Sequence, residues 1–140
     1  MHSEEMYRQM LGLTAPWDVE RVDLNMAEQR VDVYVTHPAR QQFACPTCGR
    51  ELGVYDHQPE RTWRHLDSMQ FLTFLHARPP RVSCPDHGVR QIELPWAQTG
   101  RRFTHLFEAL AIDVLLAANV SKAAAILRIS WDEAWHLIKR

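Results

Sequence analysis

The chain has 140 residues, 46% of them apolar and 24% charged, with a formal net charge of −1. That is ordinary globular usage with room for one or two small domains, and it excludes a disordered, collagen-like or strongly polybasic protein. No apolar run is long enough to span a bilayer, and the acidic start MHSEEMYRQM lacks a signal-peptide layout, so the expectation is a cytoplasmic protein with reduced thiols and no membrane partner.

At the N-terminus, Ser3 is expected to cap a short helix with Glu4 and Glu5 in its first turn and Gly12 at its end. Residues 1–16 are read as an arm. In WDVERVDLN (17–25) the alternation runs through Val19, Arg21 or Val22, and Leu24. In RVDVYVTH (30–37) Val31, Val33 and Val35 alternate with Asp32, Tyr34 and Thr36. The two segments predict an antiparallel hairpin with one buried face.

The motif C-P-T-C-G (45–49) follows, and C-P-D-H-G (84–88) repeats its plan with a histidine before the glycine. Between them, 56–67 (DHQPERTWRHLD) is polar and expected to be irregular. Residues 70–84 are β-prone with a break at Pro79–Pro80, and VRQIEL (89–94) reads as a short strand.

Three cysteines leave one over in any disulfide scheme, whereas three cysteines and a histidine make four ligands. Ligands two residues apart reach one ion only through a tight turn. Proline presets φ for that turn, and the glycine behind the second ligand tolerates positive φ. Cys45, Cys48, Cys84 and His87 are therefore the expected ligands of one structural Zn²⁺. Four protein ligands leave no open position for catalysis, and a thioredoxin-like redox role needs a βαβ context that is absent. His57 and His65 are rival fourth ligands, with a structural or phosphate-facing role otherwise.

Charge is unevenly spread. Residues 1–37 hold three arginines against seven acids, residues 38–105 nine arginines against six, and the remainder four bases against four acids. An all-arginine basic centre suits phosphate forks.

From residue 99 the periodicity becomes helical. Phe103, Leu106, Phe107, Leu110, Val114 and Leu115 form one stripe within 101–118, which Asn119 can terminate. A second helix starts at Ser121. Ser130 and Glu133 then form a capping box for a last helix that holds Lys139 and Arg140. A DNA-binding helix-turn-helix laid on 120–140 needs small or apolar residues at Ala123, Leu127, Ile129, Ala134 and Leu137, and all comply. Its turn usually has glycine where this chain has Arg128, which in αL costs ~1–2 kcal/mol; a phosphate contact by Arg128 is one compensation.

In this order the motifs resemble the N-terminal region of bacterial insertion-sequence transposases of the ISL3 family. The resemblance rests on MLGL with a following tryptophan, CPTCG, RTWRHLD, RVSCPDHG, GRRFT and LRISWDEAW. It implies a module that binds double-stranded DNA at transposon ends, with a second copy or a full-length transposase as further partners. Phosphates fall to Arg61, Arg64, His65, Arg101, Arg102, Lys122 and Arg128. The last helix presents Ser130, Trp131, Asp132, Trp135, His136, Lys139 and Arg140, with one of the two tryptophans expected in the core. In that family catalysis resides in a downstream nuclease-like domain, which is not among these 140 residues, so no catalytic residue is assigned and the chain is expected not to be an enzyme. The alternative is a stand-alone transcriptional regulator or protein-interaction module derived from a transposase. The expected fold is α+β: a small zinc-ribbon-like antiparallel β domain over 17–98, then a helix-turn-helix domain over 99–140. A bacterial nucleoid-associated location goes with this reading.

Overall fold

The computed structural model describes residues 2–139, which leaves Arg140 outside the described residues. Helix α1 (Ser3–Met10) opens the chain; His2, not Ser3, stands at its N-cap, and Gly12 just beyond it has φ +69°. Strands β1 (Asp18–Asn25) and β2 (Arg30–Thr36) form the expected antiparallel hairpin, and Val31, Val33 and Val35 are buried. α1 lies on this layer with Tyr7 buried and its hydroxyl bonded to Ser68 Oγ at 2.9 Å.

The next strands divide between two sheets. β3 (Gln42–Ala44) and β4 (Glu51–His57) pair with β7 (Pro80–Cys84) and β8 (Gly88–Gln91) in the order β3-β4-β7-β8, antiparallel throughout. Between β4 and β7 the chain makes β5 (Arg61–Ser68) and β6 (Phe71–Ala77), which complete the first sheet in the order β1-β2-β6-β5.

Two expectations are corrected here. Residues 61–67 are not irregular: they form β5, antiparallel to β6. The β region is also not purely antiparallel, because β2 and β6 run parallel from Arg30↔Leu72 to Tyr34↔His76. Such pairing requires a long crossover, and the ribbon strands with β5 supply it. Side chains fix the register: Tyr34 stacks on His76 at 4.6 Å, and His76 Nε2 meets Asp32 Oδ1 at 2.6 Å. Burial pushes the Asp32 carboxyl up, but hydrogen bonds from Arg30 and His76 outweigh it and hold the group below its ordinary range.

One apolar cluster spans both sheets and includes Trp17, Trp63, Leu75, Val82 and Trp96. A second belongs to the helices α2 (His105–Ala117), α3 (Val120–Leu127) and α4 (Trp131–Ile138). Its buried members are Phe103, Phe107, Ala111, Leu127 and Leu137, packed on Leu66 of β5. The helix starts differ from expectation by a few residues. Thr104 caps α2 by accepting from Phe107 N–H, and Asn119, expected to end α2, instead caps α3. The Ser130–Glu133 capping box is present. Among the described residues, no helix is long and apolar enough to cross a membrane.

Candidate metal centre and nucleic-acid interface

Each Cys-Pro turn closes a hairpin of the ribbon sheet, the first joining β3 to β4 and the second β7 to β8. In the first, Cys45 N–H donates to the Arg50 carbonyl at 2.9 Å and Gly49 N–H to the Cys45 carbonyl at 2.8 Å. Gly49 and Gly88 both take positive φ, +78° and +75°. Pairing of β4 with β7 brings the two turns together across 36 residues of sequence.

The four ligand atoms of Cys45, Cys48, Cys84 and His87 lie within 4.8 Å of one another. Cys48 Sγ stands 3.8 Å from Cys84 Sγ, and His87 Nδ1 stands 3.5 Å from Cys84 Sγ and 3.9 Å from Cys45 Sγ. A tetrahedral ion with sulfur at ~2.3 Å and nitrogen at ~2.0–2.1 Å separates its ligands by roughly 3.5–3.8 Å, so the donor set fits zinc. Backbone N–H groups of Cys48 and Thr47 aimed at Cys45 lower its thiol to about 6, which makes it a thiolate at neutral pH. His57, a rival ligand, lies elsewhere: its Nε2 meets His37 Nε2 at 2.9 Å.

The residues named for DNA divide into exposed and structural groups. Arg64 and His65, expected at the phosphates, are 8% and 9% exposed and serve the interior. Arg64 donates to the Leu127 and Arg128 carbonyls at the end of α3, at 3.0 and 3.2 Å, and to Asp67 Oδ1 at 2.9 Å. His65 Nδ1 meets Thr104 Oγ1 at 2.8 Å, and desolvation lowers the imidazole to about 4. Arg61 donates to the Arg101 carbonyl at 3.2 Å, and Arg101 pairs with Glu108 at 3.2 Å.

Arg128 does adopt αL, with φ 55° and ψ 47°. Its guanidinium reaches Asp67 and the Gln70 carbonyl. Within the fold, bonds to Asp67 and the β5–β6 turn accompany that conformation. Ser130 is occupied as the cap of α4.

Arg102, Lys122, Trp131, Asp132, His136 and Lys139 are exposed, and Trp135 is half-buried, edge-on to Trp131 at 5.5 Å. Four further arginines that the sequence reading did not single out are exposed: Arg50 and Arg90, just behind the two turn glycines, and Arg40 and Arg78. A signal existed in their placement beside the ligands, but counting arginines does not separate those that tie the fold from those that face solvent.

The zinc-finger domain of the transposases of IS204, IS1001, IS1096 and IS1165 matches residues 41–87. The helix-turn-helix domain of the ISL3 transposase family matches residues 92–140, and the two spans take in about two thirds of the chain. This chain belongs to the ISL3 transposase family. Over its whole length it is 27% identical, across 145 aligned residues, to the transposase for insertion sequence element IS1557 of Mycobacterium tuberculosis, in strains CDC 1551 / Oshkosh and ATCC 25618 / H37Rv alike. It spans about a third (33%) of the length of these relatives. No solved structure matches it.

Proposed function

We propose that the chain is the zinc-stapled, end-binding module of a transposase: it grips double-stranded DNA at the terminal inverted repeats of its element, and chemistry belongs to another part of the protein. The observation that carries this is the division of α4. Ala134 and Leu137 are buried, while Trp131, Asp132, His136 and Lys139 face solvent behind a complete capping box. A helix anchored by one face, with its N-terminal turn presented, is the form that enters a major groove.

One Zn²⁺ bound by Cys45, Cys48, Cys84 and His87 would cross-link the two ribbon turns and supply no reaction chemistry. The protein residues then do the positioning. Arg102, Lys122 and Lys139 are exposed cations of the helical part available for phosphate contact, and Arg40, Arg50, Arg78 and Arg90 are exposed arginines of the β region.

The test is a mobility-shift titration against the element's terminal repeats and a scrambled duplex, across a salt series. Specific binding should weaken steeply with salt, and Lys139→Ala should reduce the log–log slope by ~1 for every sequence. Trp131→Ala should lower the preference for the repeats more than it lowers non-specific binding. Equal affinity for both duplexes, or no salt dependence, would remove the reading.

A further inference from the structure

The three candidate sulfur ligands do not meet solvent equally. Cys45 and Cys84 are buried, 1% and 3% exposed, whereas Cys48 is exposed in the β3–β4 turn. Its sulfur lies 3.8 Å from Cys84 Sγ, which stands 36 residues on, where β7 enters the other turn. One sulfur reachable from solvent with a second, shielded sulfur behind it is the arrangement of an oxidisable cysteine and its resolving partner. Cys45 is the poorer partner. Backbone N–H groups of Cys48 and Thr47 already hold its sulfur, and a thiolate so stabilised is a weaker nucleophile.

We propose that Cys48 is a site of peroxide oxidation, and that its disulfide with Cys84 replaces the zinc as the link between the two ribbon turns. The proposal rests on the zinc reading of the four ligands and is independent of DNA binding. In the first step the Cys48 thiolate attacks one oxygen of hydrogen peroxide. The O–O bond breaks, hydroxide leaves, and a sulfenic acid remains on Cys48. The Cys84 thiolate then attacks the Cys48 sulfur, so that the S–S bond forms, the S–O bond breaks and a second hydroxide leaves. The two sulfurs give up two electrons and the peroxide takes them. Closing the sulfurs from 3.8 Å to ~2.05 Å needs a modest approach of the two turns. Only Cys45 and His87 then remain as ligands, half the set of a structural zinc, and the ribbon gives up its ion. It does not come apart, because Cys48 belongs to one turn and Cys84 to the other. A Cys45–Cys48 bond, by contrast, stays within one turn and ties nothing across the sheet.

The experiment treats the zinc-loaded, reduced chain with hydrogen peroxide. A chromogenic chelator reads zinc release, non-reducing peptide mapping reads the disulfide, and mass spectrometry reads amide exchange. One zinc should leave per disulfide formed, and the map should join the Cys48 and Cys84 peptides. Strands β3, β4, β7 and β8 should keep their exchange protection although zinc-free, unlike the chelated, reduced chain. Dithiothreitol with added zinc should return the starting state. Cys84→His keeps four ligands, as two cysteines and two histidines, and removes the resolving sulfur. In that variant dimedone should label Cys48 in preference to Cys45, and more heavily than in wild type. The wild-type map decides even where the variant fails to take zinc. Zinc that stays bound while a free-thiol control is oxidised overturns the proposal. So does a map dominated by Cys45–Cys48, or an oxidised ribbon as unprotected as the chelated one. A reduced chain that takes up no zinc overturns the metal reading itself, and the exchange with it, an outcome distinct from these.

Discussion

His65 shows how one side chain joins the sheet to the helices. Its Nδ1 meets the Oγ1 of Thr104, which also accepts from Phe107 N–H as the cap of α2. That leaves the threonine proton for an unprotonated imidazole. Desolvation lowers His65 to about 4 from its ordinary 6.5, so the unfolded chain binds the extra proton more readily. The sign follows: His65 leaves stability untouched above pH 6.5 and subtracts from it as pH falls toward 4, by up to about 1.4 kcal/mol per pH unit. His65→Gln should therefore flatten the pH dependence of unfolding free energy in that window relative to wild type. Denaturant titrations from pH 7 down to pH 4.5 check this; parallel curves for the two proteins would mean the imidazole protonates freely in the fold.

At the scale of elements, the segment RTWRHLD explains itself only in three dimensions. Trp63 is in the sheet core, Arg64 caps the end of α3, His65 supports the start of α2, and Asp67 accepts from Arg64 and Arg128. Arg64 is buried with its charge paired, so Arg64→Ala takes the side-chain donor from the Leu127 and Arg128 carbonyls, leaves Asp67 with Arg128 alone, and should cost about 3 kcal/mol. Arg128→Gly relieves an αL backbone while losing a partly exposed ion pair, terms of about 1 kcal/mol each that nearly cancel. Chemical denaturation of the two variants should thus separate a large loss from a small one. The same segment marks the limit of reading from sequence. The valine alternation of β2, the two Cys-Pro turns, the Ser130–Glu133 box and the αL demand at Arg128 are local patterns, and each is visible in a few residues. β5 looked irregular because its Arg64 and His65 find partners 39 to 64 positions away. The parallel β2–β6 register and the burial of Arg64 are likewise non-local, and no window of sequence contains them.

For the whole molecule, the division of apolar clusters predicts how it comes apart. The ribbon sheet shares its core with the first sheet, through Phe43, Cys45, Val82 and Cys84. The helices hold a separate cluster that contacts β5 through Leu66 and includes no ribbon residue. Four short ribbon strands, two of them three and four residues long, bury little by themselves. A structural zinc typically contributes ~10–16 kcal/mol of binding free energy in such small folds, which outweighs what those strands gain by packing. Chelation under reducing conditions should accordingly abolish amide-exchange protection in β3, β4, β7 and β8 first. The amides of α2, α3 and α4, held by Phe103, Phe107, Leu127 and Leu137, should stay protected. His87→Ala should reproduce that pattern with metal present and lower zinc affinity by more than the ~10–100-fold typical of changes outside the ligand set. Hydrogen-exchange mass spectrometry with metal quantification reads both effects. Uniform loss across ribbon and helices would mean that the clusters are one cooperative unit, and full protection in a metal-free, reduced protein would mean that the four ligands close the ribbon without an ion.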